Sequence, residues 1–507
     1  MNAPDILQNI VHLLWLNLTS FMKNNFRLLA FVLLFGLSLH AQVKGDQPAA
    51  PDKKWTLMEC VQHALKNNIT IKQTDLDNNL AGIDKKDAFG NFLPSINASA
   101  SHSWNIGLNQ NITTGLLENQ TTQFTSAGVQ IGVDIFKGLQ NQNRLRRANL
   151  SVLAAQYNSS KVRDDISLNV ANAFLQILFN KENLKVQKEQ LGINQKQQER
   201  INALVDAGSI PRGDLLDMNA TVASSKQAVI AAENTLLISK LSLAQLLQLD
   251  DFETFDIEDR DYLIQESPTM NETAKTIYDK AKETRVELKI ARTNMEIAER
   301  DIKIARGTYY PTLQGFYSFT TRAAYADQVV GVIPDPNTPF SVIGQVEGTG
   351  QNVLSPNVLP VVGKPDPVID QFSDNKGHSF GLQLNIPILN GFAARNGVER
   401  AKVARDRSQI ALSQAELDLE RNIYQAFTDA KGALNAYESA LAALEARQEA
   451  FNYAKEKLAV GMMNAFEFNQ AQTLFVNAQS ELLRAKYDYI FRVKVVEFYF
   501  GIPININ

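Results

Sequence analysis

The chain has 507 residues and a formal net charge of −4 at pH 7, so it lacks the basic surface with which proteins bind nucleic acid. Its single cysteine, Cys60, excludes a disulfide framework or a cysteine-based metal site within one chain. The five histidines are scattered and none forms the i, i+4 pair of a zinc site, so we expect neither a metal nor another cofactor.

The N-terminus predicts a secretory signal. Two basic residues follow Met22, an apolar run spans Leu28–Leu39, and Ala41 is a small residue suited to cleavage. The run is shorter than the roughly 20 residues that a membrane-spanning helix needs. We interpret residues 1–41 as a cleaved signal region, with Met22 as an alternative start, and residues 42–54 as a linker. The alternative is that the whole N-terminus forms one anchor.

Beyond the linker, the chain repeats itself over a long period. Residues 217 positions apart match in the pairs Ala64/Ala281, Lys72/Lys289, Asp84/Asp301, Gly90/Gly307 and Pro94/Pro311. Residues 253 positions apart match in the pairs Gly138/Gly391, Arg147/Arg400, Phe174/Phe427 and Gly208/Gly461. Such a duplication defines the structural unit. We assign the first repeat to 55–250, a linker to 251–268 and the second repeat to 269–507, which carries 253 − 217 = 36 extra residues.

The first repeat reads as a helix followed by two strands. The segment Leu57–Ala88 is predicted to be helical. A weak strand follows over Ser95–Asn105, and a clearer one over Val129–Ile135, where apolar and polar residues alternate. Between the strands, Ile106–Gln123 is rich in Gly, Asn and Thr, which predicts a loop.

The second repeat also contains two predicted strands. Apolar and polar residues alternate over Leu313–Phe319 and most clearly over Phe380–Ile388. This alternation gives each strand one apolar and one polar face. The long outer loop 323–377 lies between the strands and holds most of the extra residues. A loop of this length is normally functional or exposed.

Each strand pair is followed by a very long helical segment, here called a rod. The rods are predicted over Leu145–Ala207 and Val398–Val460, each about 90 Å long at 1.5 Å per residue. In the second rod, apolar residues recur every seven positions, as in coiled coils, at Tyr437, Leu444, Phe451 and Leu458. Gly208 and Gly461 end the rods as hairpin-tip turns, and a second helix returns from each.

The strand pattern indicates a membrane β-barrel. Strands of about ten residues with one apolar face are typical of such barrels, and lipid does not tolerate open sheet edges. Four strands cannot close alone, so the chain is expected to oligomerise; two copies give the minimum of eight strands and three copies give twelve. Strands and helices meet at the predicted junctions Pro94, Gly138, Pro311 and Gly391. The alternative is a soluble four-stranded sheet with attached helical hairpins.

These features together resemble the outer membrane efflux protein family, the TolC-like ducts. The resemblance rests on Leu-Pro or Tyr-Pro before a strand, Phe-Lys-Gly or Leu-Asn-Gly after one, and an acidic residue six positions after each tip glycine. It implies an α+β fold in which a homotrimer forms a twelve-stranded barrel in outer membrane lipid, continued into the periplasm by a helical barrel. It also implies a non-enzymatic exit duct for drugs, other toxic compounds or proteins, working with an inner-membrane pump and a periplasmic adaptor.

In this family the inner tip of the duct is narrowed by acidic residues. The resemblance makes Asp214, Asp217 and Glu467 the candidate gate residues. Three copies of each would form a ring of carboxylates that attracts cations and raises the pKa of its own members. The alternative is that these residues are solvated acids favoured at helix N-termini by the helix dipole. This alternative is the stronger one for Asp217.

The sequence departs from the family in the lock of the closed tip. Some members link the tip through an Arg–Asp or Tyr–Asp pair, but the matching positions here hold Met463 and Leu458, which cannot form such a link. Arg212 lies near but not at the matching place.

Two other classes of protein share part of the pattern. A periplasmic adaptor also combines a helical hairpin with β-structure, but it has one hairpin, whereas two alternate with strand pairs here. A structural coiled-coil protein of the envelope would not need alternating strands. Both remain alternatives at this point.

Overall fold

The structure is a computed structural model that describes residues 54–110, 117–252, 254–259, 262, 264 and 267–502. The predicted signal region 1–41 and all but the last residue of the predicted linker 42–54 lie outside the described residues. Both stay predictions.

Nine α-helices are described. They are α1 (Leu57–Asn67), α2 (Ile69–Gly90), α3 (Gln140–Asp206), α4 (Arg212–Leu247), α5 (Ala274–Thr284), α6 (Val286–Arg306), α7 (Val368–Asp374), α8 (Ala393–Ala459) and α9 (Ala465–Phe500). The predicted rods are confirmed as α3 and α8, each followed by its return helix. None of the helices in the described ranges combines the length and apolar character needed to cross a lipid bilayer.

The prediction of one helix over Leu57–Ala88 was wrong, because the helix is interrupted at Asn68. Asn68 has an extended backbone, and its side-chain oxygen accepts a hydrogen bond from the backbone N–H of Thr70 at 2.9 Å, which caps α2. Its amide also donates to the carbonyl of Leu246 at 3.0 Å, so the break docks the chain on the end of α4.

Ten strands are described. They are β1 (Lys54–Trp55), β2 (Ser95–Gln110), β3 (Leu117–Lys137), β4 (Asp256–Ile257), β5 (Thr312–Ala324), β6 (Gln328–Pro334), β7 (Phe340–Gln345), β8 (Asn352–Pro356), β9 (Val358–Gly363) and β10 (Gly377–Asn385). Four of them form one antiparallel sheet in the order β10-β5-β3-β2. The other strands form three two-stranded pairs.

Three strand boundaries, the end of β2, the start of β3 and the end of β10, were predicted wrongly. The predicted loop Ile106–Gln123 is mostly strand, since β2 runs on to Gln110 and β3 starts at Leu117. Of the described residues that suggest a loop, Gly107, Asn109 and Thr122 lie on the polar face of this hairpin and Asn119 and Thr121 lie on the other face. The fourth strand ends at Asn385 and not at Ile388, because Pro387 has no N–H to continue the ladder.

The outer loop 323–377 is an ordered insertion and not an irregular loop. Strand β6 pairs with β9, and β7 pairs with β8, as successive parts of one ribbon. At its base, the buried amide of Gln371 in α7 accepts from the N–H of Ala324 at 2.9 Å and donates to its carbonyl at 3.0 Å. The insertion is therefore fixed to the end of β5.

The register of the main sheet separates two faces. The apolar face carries mostly aromatic and aliphatic side chains: Ile96, Trp104, Val129, Ile131, Val133, Leu313, Tyr317, Phe319, Phe380, Leu382 and Leu384. The polar face carries mostly small hydroxyl and amide side chains: Asn97, Ser99, Ser101, Gln130, Gln314, Ser318, Thr320, Gln383 and Asn385.

The helices bury two cores that follow the repeat. Three repeat-equivalent pairs fill them: Ala64/Ala281, Ile71/Leu288 and Val170/Ile423. Burial of matching apolar side chains provides the main stabilisation of both helical layers. Each repeat thus forms its own core, with apolar side chains at equivalent positions.

The predicted irregular linker 251–268 is tied to the first repeat. Strand β4 pairs in parallel with β1, and Asp256 lies 2.8 Å from Lys181 and 2.9 Å from Lys240. Burial raises the pKa of Asp256, but the two ammonium groups outweigh that effect and hold the pKa below its ordinary value. Asp256 of this acidic segment therefore forms ion pairs with α3 and α4.

Candidate functional site

The predicted junctions are the points where strands turn into rods. Gly138 and Gly391 both have positive φ angles, +57° and +58°, and each is followed by a second left-handed residue, Leu139 or Phe392. Because glycine adopts this backbone without a steric cost, both turns place the following rod in the same way. Pro94 and Pro311 directly precede β2 and β5.

The two repeats touch closely at one junction. A Cβ atom on Gly138 would overlap the carbonyl oxygen of Gly307, and a Cβ atom on Gly307 would lie 2.7 Å from the carbonyl oxygen of Gly138. A Cβ atom added to either repeat equivalent, Gly391 or Gly90, would meet no atom within 4 Å among the described residues. Gly138 and Gly307 are thus in contact where the two repeats meet. Their equivalents, Gly391 and Gly90, lie open at the outer flanks of the described chain.

The helices show the same incomplete symmetry. Helix α6 packs against both rods, α3 and α8. Its repeat equivalent α2 packs against α3 and makes no substantial contact with α8 in the described part of the chain. Exposed apolar residues lie along α2 at Ile69, Leu76, Leu80 and Ile83, and seven apart along α8 at Val403, Ile410, Leu417 and Tyr424.

An ion pair marks the contact between the repeats. Arg147 of α3 lies 2.7 Å from Asp301 of α6. The repeat equivalents are the identical residue types Arg400 and Asp84, both exposed and without an ion pair among the described residues. In the described part of the chain, one outer flank therefore carries an unpaired Arg400 and the other an unpaired Asp84, whereas Arg147 and Asp301 form the ion pair where the repeats meet.

The hairpin tips turn on the predicted glycines. Gly208 and Gly461 have φ angles of +67° and +78°. After each glycine, a backbone N–H reaches back to the last turn of the rod, from Ser209 to Leu204 and from Met462 to Lys457, both at 2.9 Å. This is the Schellman arrangement that ends a helix at a left-handed residue.

The three candidate gate residues lie at the start of the return helices. Asp214 is half-buried in the first turn of α4, and Asp217 is exposed one turn later. Glu467 is exposed in the first turn of α9, where its N–H donates to the side chain of Asn464 at 2.8 Å. None of the three carboxylates forms an ion pair within the described ranges, so all three charges face solvent in a single chain.

The positions of the missing lock take part in apolar packing. Leu458 and Met463 contact an aromatic cluster near the second tip, in which the rings of Phe451 and Phe475 stack with centroids 5.1 Å apart. A smaller cluster around Met218 closes the first tip. Each hairpin is thus held by its own apolar contacts.

Sequence reasoning missed a row of polar side chains along α3, which contacts α9 of the second hairpin at one point and α4 of its own hairpin at another. Ser480 of α9 donates to Asn183 of α3 at 3.2 Å. Towards the tip, Gln190 donates to Asn194 at 3.3 Å, and the buried Asn194 donates to Ser225 at 2.6 Å. We call these residues the amide seam. Their heptad positions on the rod could have signalled it, since polar residues replace apolar ones there.

Gln472 is the least satisfied member of this region. Its side chain is only 1% exposed, and neither atom of its amide has a hydrogen-bond partner among the described residues. Because α3 and α9 run antiparallel and Asn183 meets Ser480, Gln472 lies at the level of Gln190, whose oxygen is also unpaired. An unpaired buried amide group costs about 1–3 kcal/mol, so this packing is less stable than an apolar one.

Replacing Gln472 should therefore stabilise the hairpin locally. We expect Gln472→Leu to slow hydrogen exchange of backbone amides in the first turns of α9 by about 5- to 30-fold, corresponding to 1–2 kcal/mol. Mass-spectrometric hydrogen exchange measures this. The matched control is Gln448→Leu, at an exposed position of α8, which should leave exchange unchanged. Faster or equal exchange in Gln472→Leu would contradict the interpretation.

Comparison with known proteins places the chain. The sequence profile of the outer membrane efflux protein family matches residues 60–248 and 277–494. A search of curated proteins gives no significant match.

Solved structures share the fold at low sequence identity. The Campylobacter jejuni CmeC outer membrane channel is 18% identical with a TM-score of 0.70, over 88% of this chain and 85% of that one. The outer membrane protein VceC of Vibrio cholerae is 14% identical with a TM-score of 0.69, over 89% and 97%. The Neisseria gonorrhoeae MtrE outer membrane channel in its open state is 15% identical with a TM-score of 0.65, over 88% and 89%. With most of its length matched by the family profile, the chain belongs to the outer membrane efflux protein family, whose members are transport channels of the outer membrane that reach into the periplasm.

Proposed function

We propose that three copies of this chain close a twelve-stranded barrel and a helical barrel, forming the exit duct of a tripartite efflux or secretion system. The observation that carries this proposal is the contact between the two repeats, which is complete inside the chain and half-present at each outer flank. We take 55–250 and 269–507 as the two wall sectors of each subunit, joined by 251–268.

The sheet supports closure by other copies. Its outermost strands, β2 and β10, each have one edge without a partner among the described residues. Within lipid, each unpaired backbone group costs several kcal/mol, so these edges need strands from other subunits.

The repeat gives the register of this seam. The two hairpins have the same internal register, since Ser95 pairs with Gly132 and the equivalent Thr312 pairs with Asn385. Between the hairpins, Gln130 of β3 pairs with Ser318 of β5. The repeat equivalent of Gln130, 253 positions later, is Gln383, and the equivalent of Ser318, 217 positions earlier, is Ser101. The same pairing therefore places Gln383 opposite Ser101 of the partner subunit.

Closure by the same contact also fits the helical layer. The exposed apolar stripe of α8 is the equivalent of the α3 surface that α6 covers, and α2 is the equivalent of α6. Closure would place the exposed stripe of α2 on α8 of the partner subunit. It would also bring Arg400 to Asp84 of the partner subunit, and Gly391 to Gly90 of the partner subunit.

The number of copies follows from the polar face. Eight strands enclose a space that side chains fill, whereas twelve leave a lumen. A face of small hydroxyl and amide groups suits a water-filled lumen, and the apolar face suits lipid. Exposed Trp104 near the outer end of that face, and Tyr309 and Tyr310 just before β5 at the other end, suit the two lipid headgroup levels.

The partners follow from the family. Its members are trimeric channels that work with a periplasmic adaptor and an inner-membrane pump. We extend both partners to this chain, with drugs, other toxic compounds or proteins as cargo. Neither the adaptor nor the coiled-coil alternative accounts for a sheet with one lipid-suited face. In the closed tip, Asp214 and Glu467 would form two rings of three carboxylates that attract cations.

The seam register is testable by cross-linking. With Ser101→Cys and Gln383→Cys in one chain, oxidation should give covalent trimers on a non-reducing gel, because paired Cα atoms in adjacent strands lie within disulfide range. Ser103→Cys with Gln383→Cys is displaced by two residues and should not cross-link between subunits. Gln130→Cys with Ser318→Cys, in the register seen inside the chain, should give cross-linked monomers. Trimers from the displaced pair and none from the first would contradict the register.

The gate is testable in planar bilayers. Asp214→Ala with Glu467→Ala should weaken block by divalent cations about two- to tenfold, because the carboxylate rings that concentrate cations are lost. It should also raise single-channel conductance, because smaller side chains narrow the tip less. Glu199→Ala with Glu449→Ala removes two exposed carboxylates from α3 and α8 and is the charge-matched control. Unchanged conductance and block in the first variant would remove the gate assignment.

A further inference from the structure

The polar face of the sheet is almost uncharged. Across β2, β3, β5 and β10 its side chains are Ser, Thr, Asn and Gln, with glycines, two phenylalanines and one alanine, and four positions carry a charge: Glu118, Asp134, Lys137 and Arg322. In the proposed trimer this face lines the lumen. The few charges on it therefore decide which ions the barrel favours.

The two acidic residues contribute little to the field at the outer mouth. Asp134 lies at the inner end of β3, where Lys137 is 2.7 Å away and Gln314 donates to its other oxygen at 2.8 Å. Glu118 lies on the part of the β2–β3 hairpin that extends beyond β5, six residues past the last β3–β5 pair at Phe124. Six residues correspond to about 20 Å along the strand.

Arg322 is a held cation at the outer end of β5. Its guanidinium carbon lies 5.5 Å from the ring centroid of Phe124 on the same face. Its backbone carbonyl accepts from the side chain of Asn375 at 2.7 Å, next to the Gln371 contacts that fix Ala324. No carboxylate pairs with Arg322 in the described part of the chain. A guanidinium stays charged at any physiological pH.

The duplication does not repeat this charge. The equivalent of Arg322 in the first repeat is Asn105, 217 positions earlier, which is neutral. Each subunit therefore contributes one arginine to its level of the lumen, and three subunits give three.

We infer that Arg322 forms a cationic ring at the outer mouth and makes this end of the duct favour anions over cations. The inference rests on the proposed trimeric channel. Three positive charges in a lumen that is otherwise neutral at that level attract anions and repel cations, and the phenyl ring of Phe124 holds each guanidinium in place. The acidic tip and the cationic mouth then impose opposite preferences at the two ends.

The test is the reversal potential of single channels in a KCl gradient. At a mean of about 0.1 M salt, where the Debye length is about 10 Å and Glu118 is therefore screened, Arg322→Glu should raise the permeability of K⁺ relative to Cl⁻ by about two- to tenfold over the unmodified protein, with Arg322→Gln between them. At 1 M salt the Debye length is about 3 Å, and the difference should vanish.

Lys376→Glu provides the matched control. Lys376 directly precedes β10 at the same rim but outside the polar-face positions, so the same change of charge there should change the permeability ratio much less than Arg322→Glu does. A sulfonated cyclodextrin added on the outer side should also block the unmodified channel and block Arg322→Gln less. A permeability ratio and a block in both Arg322 variants equal to those of the unmodified channel would overturn the inference while leaving the channel intact. An unmodified protein that does not conduct would overturn the proposed function and this inference with it.

Discussion

The structure depends on one constraint, that backbone N–H and C=O groups cannot be left unpaired in lipid. In the proposed trimer, the four-stranded sheet satisfies it by closing with other copies of itself. We propose that this closure repeats the contact between the two repeats. A glycine pair, an arginine–aspartate pair and a helix shared between two rods meet there, and each has an unoccupied counterpart at the outer flanks of the chain.

The strands, junctions and helical cores are alike in the two repeats, whereas the helix tips and the outer ends of the strands differ. Junction glycines, strand register and helical cores follow the repeat, because a barrel closes only if every sector has the same tilt and stagger. The ends have no such requirement. Asn464 caps the second return helix where Pro211 stands in the first, Arg322 replaces Asn105, and the inserted ribbon rises from one strand pair alone. The residues proposed to act on permeating ions thus lie where the copies diverge.

Elements with strong local periodicity could be predicted from the sequence. The rods and tip glycines lie close to their expected places, since heptad spacing and left-handed turns are local properties. The full length of the β2–β3 hairpin could not be predicted, because its Asn and Thr residues look like loop residues until their partners on the neighbouring strand are known. The break at Asn68 depends on a hydrogen bond to Leu246, far along the chain. The amide seam was missed for the same reason, as Gln472 is notable only for the packing that buries it.

The central claim is that the chain is complete only as a closed ring of three. The most direct test is the protein mass of the detergent-solubilised mature protein, measured by light scattering with the detergent contribution subtracted. The account predicts a single species of about three chains, each at most 56.4 kDa, whose unheated form migrates as a trimer on a denaturing gel and collapses to monomer on boiling. A stable, folded monomer in detergent would contradict it, because its strand edges would then have no partner.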